Sequence, residues 1–356
     1  MSKVDYSKFC PLLQRQFSNQ GKGVILVLLA SVMLSLQNVV ARVILSEQYL
    51  FGHFRVGGWI APTLGNSLLV LVMRMLLMVP LLAFFVGPQL YPPLWLDLMQ
   101  LIQVKQRGLL SRIIGSGLFL FVSQCFMYIA IGNIPAGIAI TVFFIYPTVI
   151  VLLSWFLFGE RPTCVLGLGM LILYLGCFLS IPAPESLKSA NFLLGVGTAM
   201  AAGIAFSLNV ILTQICSQKF NFHPVPFSLI NISTTLVLSG FSIVVFNYVP
   251  IFKLLQIARF SVEPSVWLSL WSSVLVLALV TVAGYLLNNY GIFIVGASLS
   301  SIIGSTGPIF TSTLAWLFLG ESLGSHQIVG MLIVSLSVAA ISFHKNKVQA
   351  IKNNST

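Results

Sequence analysis

The sequence predicts an all-α membrane protein of ten transmembrane helices, arranged as two five-helix inverted repeats. Hydrophobic residues make up 58% of the chain and charged residues only 7%, whereas soluble domains contain roughly 25% charged residues. So few charges cannot cover the surface of a soluble fold. Apolar runs also recur at the length of about 20 residues that crosses a bilayer, and the second half of the chain repeats the first.

Ten apolar runs reach membrane-spanning length. The third and fourth are separate because Gly132, Asn133 and Pro135 predict a turn between them. The first run follows a polar lead that ends at Lys22 and is longer than a signal-peptide core, so we expect it to remain as a helix. The expected spans are 23–45, 66–87, 111–131, 135–158, 162–182, 192–214, 226–250, 268–291, 296–319 and 325–343.

The repeat is clearest around the fourth helix of each half. When the two halves are aligned at one constant offset, Pro147 is equivalent to Pro308. Near the start of each half a second offset applies, and there Ser35 is equivalent to Ser207. We name these two offsets the Pro147/Pro308 register and the Ser35/Ser207 register. Because each half has an odd number of helices, the second half enters the membrane from the opposite side. The expected parts are an N-terminal segment 1–22, the repeats 23–182 and 192–343, and a tail 344–356.

The first half contains two extra segments, a long loop at 46–65 and the stretch 88–110. In 88–110, apolar residues recur at helical spacing before Lys105 and Arg107, which predicts an amphipathic helix on the cytoplasmic leaflet. The stretch 251–263 is either a similar interfacial helix or an ordinary connecting loop. The apolar positions of 88–110 are Leu94, Trp95, Leu98, Leu101 and Ile102.

The distribution of positive charge orients the chain. The formal net charge is +11, and most lysines and arginines fall on the side of the N-terminus, so both termini are expected in the cytoplasm. No basic stripe interleaved with aromatic residues is left to bind nucleic acid. The residues on this side are Lys3, Lys8, Arg15, Lys22, Lys105, Arg107, Arg112, Arg161, Lys219, Lys345, Lys347 and Lys352.

Two phrases, FLFGERP at 156–162 and FLGESL at 318–323, end the fourth helix of each half, and Arg74 lies within LVMRMLLMVP of the second helix. With the two five-helix halves, they resemble the EamA family of the drug/metabolite transporter superfamily. The resemblance covers about 23–343 and implies a ten-helix exporter of amino acids, other metabolites or toxic compounds. It also implies the bacterial inner membrane, with an organelle membrane as the alternative. The chain departs from the family in its two extra segments and in having no seventh-helix arginine.

Arg74 is the only charged residue well inside an expected span. A charge in hydrocarbon is costly and marks a functional site by default. A guanidinium there needs a carboxylate, a phosphate or backbone carbonyls as its partner. A structural role, in which the side chain binds carbonyls or reaches the membrane interface, is the alternative.

Polar side chains also follow one face of several helices. In the first helix they stand at i, i+4, i+7 and i+11: Ser31, Ser35, Asn38 and Arg42. Such a stripe faces protein or a water-filled cavity. We favour a cavity that binds a small zwitterion; hydrogen bonding between helices is the alternative. The further substrate-binding candidates are Ser207 and Asn209 in the sixth helix, Thr281, Tyr285, Asn288 and Asn289 in the eighth, and Gln124 and Tyr128 in the third.

Pro147 and Pro308 stand mid-helix at equivalent positions, and Gly304 and Gly307 accompany the second proline. Proline removes a backbone donor and bends a helix. Paired breaks in two repeats indicate a transport site or a hinge, and a simple kink is the alternative.

These features favour a secondary transporter over an enzyme. The sequence has no GxGD, HExxH or Walker-type phosphate loop, its five cysteines show no metal-ligand spacing, and no cofactor is indicated. His223 is expected on the surface of a loop. The leading hypothesis is a carrier that exports small metabolites such as amino acids by alternating access. The alternatives are a carrier of organic anions or nucleotide sugars and a non-transporting membrane scaffold.

Overall fold

The computed structural model describes residues 19–45, 47–51, 53–60, 63–102, 107–133, 139, 142–159, 164–179, 192–248, 262–319 and scattered positions from 325 to 340. Nearly all of these residues are helical. The helices are α1 (Asn19–Leu45), α2 (Leu64–Pro80), α3 (Gly87–Leu90), α4 (Leu94–Ile102), α5 (Arg107–Asn133), α6 (Tyr146–Phe158), α7 (Cys164–Leu179), α8 (Phe192–Gln214), α9 (Pro224–Tyr248), α10 (Trp267–Gly304) and α11 (Gly307–Leu319). Short π-helical turns, Leu81–Val86 and Ile215–Lys219, extend α2 and α8.

Six helices of the described part of the chain are long and apolar enough to cross a bilayer: Gly21–Leu45, Gly65–Leu90, Arg107–Ala130, Leu193–Lys219, Pro224–Phe246 and Pro264–Gly304. Shorter apolar helices at Tyr146–Phe158, Gly167–Gly176 and Ile309–Leu319 fall where the fourth, fifth and ninth spans are expected. The segment 1–22, the stretch 251–263 and the tail 344–356 lie wholly or mostly outside the described residues, and the tenth span is described only at scattered helical positions.

The loop 46–65 contains a β-hairpin, which is a local exception to the predicted all-α fold. Strands β1 (Glu47–Leu50) and β2 (Phe54–Gly57) pair antiparallel, and Arg55 binds Glu47 across them. The Phe51 N–H donates to the Phe318 carbonyl over 2.7 Å. Strand pairing of this kind depends on contacts between side chains of the two strands, and a hydropathy profile contains no information about those contacts. The hairpin ties α1 to the far end of α11, and we name this side of the bundle the hairpin end.

The segment 88–110 contains α4, at the opposite end of α2 from the hairpin; we name this side the α4 end. Leu94 and Leu101 of α4 are fully buried, whereas Trp95, Leu96 and Met99 are exposed. Leu94 packs with apolar residues of α2, α9 and α10. The predicted apolar face is therefore divided between the protein and its surroundings, and contact with the cytoplasmic leaflet stays a prediction.

Each half packs its first helix against the other half. Helix α1 lies against α10 and α11, and α8 lies against α5 and α6. A Cβ on Gly291 of α10 would lie 2.3 Å from Cγ2 of Val27, and the equivalent pair Ala130–Ala199 is buried in one cluster. The Pro147/Pro308 register relates Ala130 to Gly291, and the Ser35/Ser207 register relates Val27 to Ala199. The halves therefore exchange equivalent contacts about an approximate twofold axis.

His223 is half-buried at the α4 end rather than on a loop surface as predicted. Its ring stacks on Tyr91 with 3.8 Å between ring centroids, and its Nε2 lies 3.3 Å from the Tyr290 hydroxyl. The Val225 N–H donates to Nδ1 over 3.3 Å, so a neutral ring with its proton on Nε2 fits both contacts. Burial lowers the pKa of His223 to about 4.

His223 should therefore make the stability of the protein depend on pH. The pKa falls from 6.5 to about 4 on folding, so the unfolded state takes up the proton first. The stabilisation is complete above pH 6.5 and is lost as the pH falls towards 4. We expect His223→Gln to reduce the loss of stability between pH 7.5 and pH 4.5 by roughly 2 kcal/mol. Thermal melts of purified protein in detergent measure this loss, with the exposed His326→Gln as control. An undiminished loss in His223→Gln contradicts the assignment.

Candidate functional site

The fourth helix of each half is broken near its middle. In the first half, a turn at 144–145 precedes α6, and in the second half a turn at 305–306 separates α10 from α11. Pro147 and Pro308 are each the second residue of the helix that follows. A proline is tolerated there because the first backbone N–H groups of a helix have no intrahelical partner. The break thus lies just ahead of each proline, in the turn where a proline disturbs helical hydrogen bonding, and a role as a hinge stays a prediction.

Two equivalent serines bind these broken helices across the repeat boundary. Ser207 of α8 shares its hydroxyl proton between the Gly203 carbonyl of its own helix at 2.8 Å and the Tyr146 carbonyl at 3.1 Å. Ser35 of α1 donates to the Gly307 carbonyl over 2.9 Å. Tyr146 and Gly307 are each the residue before the proline. Each first helix is thereby tied to the first turn of the other half's broken helix. Gly304 lies nearby, and a Cβ there would be 3.2 Å from the Tyr146 hydroxyl.

A polar cluster joins α2, α5 and α10 at the centre of the bundle. Gln124 and Tyr285 are equivalent in the Pro147/Pro308 register, and they hydrogen-bond to each other. Two equivalent residues can meet only on the axis that relates them. The phenol groups of Tyr128 and Tyr285 both lie within electrostatic reach of the Arg74 guanidinium. The cluster therefore places a positive charge and hydroxyl groups beside the twofold axis.

Arg74 is buried without hydrogen-bond partners for much of its guanidinium. The residue is 3% exposed, and its Nε and Nη2 atoms have no partner among the described residues. Buried donors that stay unpaired cost about 1–3 kcal/mol each, and more when charged. The carboxylates of the described residues are Glu47, Asp97 and Glu263, and all lie outside the candidate spans. Two charged donors are thus available to an anionic group.

Other predicted site residues form hydrogen bonds that hold helices together. Asn209 donates to the carbonyl and hydroxyl oxygens of Ser116 over 2.9 Å and 2.8 Å, and Asn231 donates to the same hydroxyl. Asn289 donates to the Ser228 hydroxyl over 2.7 Å. For Asn209 and Asn289, these contacts fit the interhelical role that is the alternative to a cavity. The hydroxyl groups of Ser31 and Thr281 donate to carbonyls one turn earlier in their own helices, and Asn288 is half-buried.

The polar stripe of α1 changes its environment along its length. Ser31 and Ser35 are buried, whereas Asn38 and Arg42 on the same face are exposed towards the hairpin end. In the equivalent stripe of α8, sequence reasoning identified Ser207 but missed Gln214. Applying the Ser35/Ser207 register along the whole first helix would have found it, because Arg42 falls on Gln214.

Comparison with known proteins agrees with the two-repeat arrangement. Residues 21–181 and 193–343 each match the EamA-like transporter family. An uncharacterized transporter of Synechocystis sp. is 37% identical over 333 residues, which cover 93% of this chain and 96% of that protein. A solved crystal structure superposes with a TM-score of 0.62 at 18% identity, covering 93% of this chain and 98% of the other. The two structures share the fold.

Proposed function

The chain belongs to the EamA-like transporter family, and we propose that it is a secondary carrier that exports small carboxylate-bearing metabolites, amino acids among them, by alternating access. The observation that carries this proposal is the buried guanidinium of Arg74, with two donor atoms unpaired beside the twofold axis. A charge is retained inside the membrane only where it is balanced. We propose that the substrate supplies the balancing charge.

The geometry of a guanidinium explains the preference for a carboxylate. Its planar fork binds two carboxylate oxygens at once, which a single ammonium does not. Tyr128, Tyr285 and Gln124 add hydroxyl and amide groups that can hydrogen-bond the rest of a small polar solute. A phosphate also fits a guanidinium, but its higher charge calls for more than one deep cation. Arg74 is the only charged residue well inside an expected span, which favours a singly charged group.

The broken helices support alternating access. Inverted repeats with discontinuous helices near the membrane midplane are typical of carriers whose halves rock about a central site. Here the breaks before Pro147 and Pro308 lie against Ser207 and Ser35 of the opposite half. We propose ten membrane crossings, with the tenth formed by 325–343. A rocking movement would then change both breaks together.

The α4 end is proposed to face the cytoplasm of a cell inner membrane. Arg107, Arg112 and Lys219 lie at this end, and positive residues concentrate on the cytoplasmic side of membrane proteins. The chain has no Walker-type loop for ATP, and the described spans hold no carboxylate to relay protons. We therefore propose exchange or gradient-driven movement of the substrate that a pH gradient does not accelerate.

Counterflow in liposomes tests this function. Vesicles with purified protein are loaded with one unlabelled solute, and uptake of labelled amino acids, dicarboxylates and phosphorylated solutes is followed with and without a pH gradient. We expect exchange of amino acids at equal rates in both conditions. Exchange of phosphorylated or dicarboxylic solutes alone would replace the proposal with an organic-anion carrier. No exchange by folded protein would favour the membrane scaffold.

A further inference from the structure

Two glutamines bind the junction between the eighth and ninth expected spans at the α4 end. Gln214 is the last residue of α8, and Gln218 lies in the π-helical turn that extends it. The Gln214 Oε1 accepts from the Ala297 N–H over 3.0 Å. The Gln214 Nε2 donates to Gln218 Oε1 over 2.9 Å. The Gln218 Nε2 in turn donates to the carbonyls of Ile292 and Phe293 over 3.2 Å and 3.3 Å. The side-chain amides therefore form a continuous chain from α8 to both sides of the junction.

The junction itself is a bend in α10 at Gly296. This residue has φ 81 and ψ 168, a conformation that glycine adopts without the steric cost of a Cβ. Helical hydrogen bonds are interrupted at such a residue, so nearby backbone groups need other partners. Gln214 and Gln218 supply those partners for Ala297, Ile292 and Phe293. Gln214 is only 1% exposed, so its amide contacts are shielded from competition with water.

The equivalent position at the opposite end of the bundle is arranged differently. On the polar face of α1, Asn38 and Arg42 are exposed. In the Ser35/Ser207 register they fall on Val210 and Gln214 of α8, which are 3% and 1% exposed. One end of the twofold-related pair is thus open and the other is closed.

The helix face of Asn38 and Arg42 differs from the face of α1 on which lipid contact is expected. They share a helix face with Ser35, which binds Gly307 of α11. The apolar residues Ile25 and Leu29 are exposed on the opposite face of α1, where lipid contact is expected. The polar face of α1 is therefore exposed at the hairpin end and becomes buried at Ser35.

We infer that Gln214 and Gln218 are the gate residues of the α4 end, and that their bonds to the Gly296 junction hold the carrier closed there and open at the hairpin end. This inference rests on the proposed function, because a gate has a role only in a protein with alternating access. Opening the α4 end requires α8 to leave the junction. The amide contacts at Ala297, Ile292 and Phe293 must then break, and water must replace them.

Cysteine labelling in purified, detergent-solubilised protein tests the gate without knowledge of the substrate. The five natural cysteines are replaced, and a single reporter is introduced as Val210→Cys or Asn38→Cys. In the parent protein, we expect fast maleimide labelling at 38 and slow labelling at 210. Loss of the three amide hydrogen bonds of Gln218 through Gln218→Ala, or of the two of Gln214 through Gln214→Ala, should raise the rate at 210 roughly fivefold and lower the rate at 38. Gln89→Ala removes an exposed glutamine at the same end of the bundle and is the matched control.

The outcomes separate the gate from the proposed function. Gln214 is buried, so Gln214→Ala is interpreted only if the protein elutes as a single species, and the surface variant Gln218→Ala provides the independent test. An unchanged rate at 210 in folded Gln218→Ala overturns the gate even if counterflow succeeds. A faster rate at 210 with an unchanged rate at 38 overturns the coupling of the two ends. A reciprocal change supports the gate, even if no tested solute is exchanged.

Discussion

Replacing Arg74 by alanine is expected to lower the rate of substrate counterflow by about 100-fold. Truncating one partner of a buried charge pair costs roughly 2–5 kcal/mol, and about 2.7 kcal/mol corresponds to 100-fold in affinity. The variant should still fold, because removing a buried, partly unpaired guanidinium also removes its desolvation cost. Counterflow at low substrate concentration measures the effect, and size-exclusion chromatography in detergent checks that the protein is folded.

Conservative variants separate substrate binding from a structural role of Arg74. Lysine keeps the charge but loses the planar fork, so Arg74→Lys should retain roughly a tenth of the rate, between the alanine variant and the parent. Arg55→Ala is the matched control, because Arg55 is an exposed arginine paired with Glu47 on the hairpin. Counterflow by Arg74→Ala at the parental rate would falsify the role of Arg74 as the substrate anchor.

Substitution of Gly203 is expected to give the largest effect on stability. Gly203 lies where α8 passes the break in the fourth helix. A Cβ at this position would lie 2.7 Å from the Phe143 carbonyl oxygen, a backbone atom that cannot rotate away. Overpacking of this kind costs typically about 1–3 kcal/mol. We expect Gly203→Ala to lower stability by about 2 kcal/mol and Gly203→Leu to yield little folded protein.

The same helix provides the control for Gly203. Gly197 of α8 has no atom within 4 Å of a Cβ built on it, so Gly197→Ala should leave the melting temperature unchanged or raise it, since alanine favours helices. Melting curves and the monodisperse fraction in detergent measure both variants. Equal behaviour of Gly203→Ala and Gly197→Ala would show that α8 does not pass so close to the break.

The membrane-spanning helices are the most predictable part of the fold. The expected spans 23–45 and 66–87 correspond to Gly21–Leu45 and Gly65–Leu90, because length and hydropathy are local properties. The eighth and ninth spans are expected as 268–291 and 296–319, and the backbone leaves helical geometry at Gly296, between them, with φ 81 and ψ 168. A second interruption follows at the turn 305–306 ahead of Pro308, so the glycine and the proline each mark a break.

The hairpin at 46–65 is not predictable for a different reason. Its tip is anchored by the Phe51 N–H on the Phe318 carbonyl, and this partner is distant in the chain. Short strands are marginal without such support. Hydropathy and turn residues within the loop therefore carry too little information to specify it.

Individual residues of the candidate site can be found from the sequence, but their pairing cannot. One rule, the cost of charge in hydrocarbon, identifies Arg74. Gln124 and Tyr285 are both candidates, yet the hydrogen bond between them depends on how the two halves pack, and the sequence does not specify that packing. Asn209 donates to Ser116 rather than facing an open cavity. An amide in a membrane helix can hydrogen-bond either to a neighbouring helix or to water, and which partner it has depends on the packing of the helices.

The exchanged serine contacts have a consequence for the order of events during synthesis. Tyr146 is made 61 residues before Ser207, and Ser35 is made 272 residues before Gly307. At typical translation rates the second delay lasts on the order of 15–50 s. The newly inserted first helix must therefore wait in the bilayer for a partner that the ribosome has not yet produced. The contact between Ser35 and Gly307 therefore forms only after nearly the whole chain has been translated.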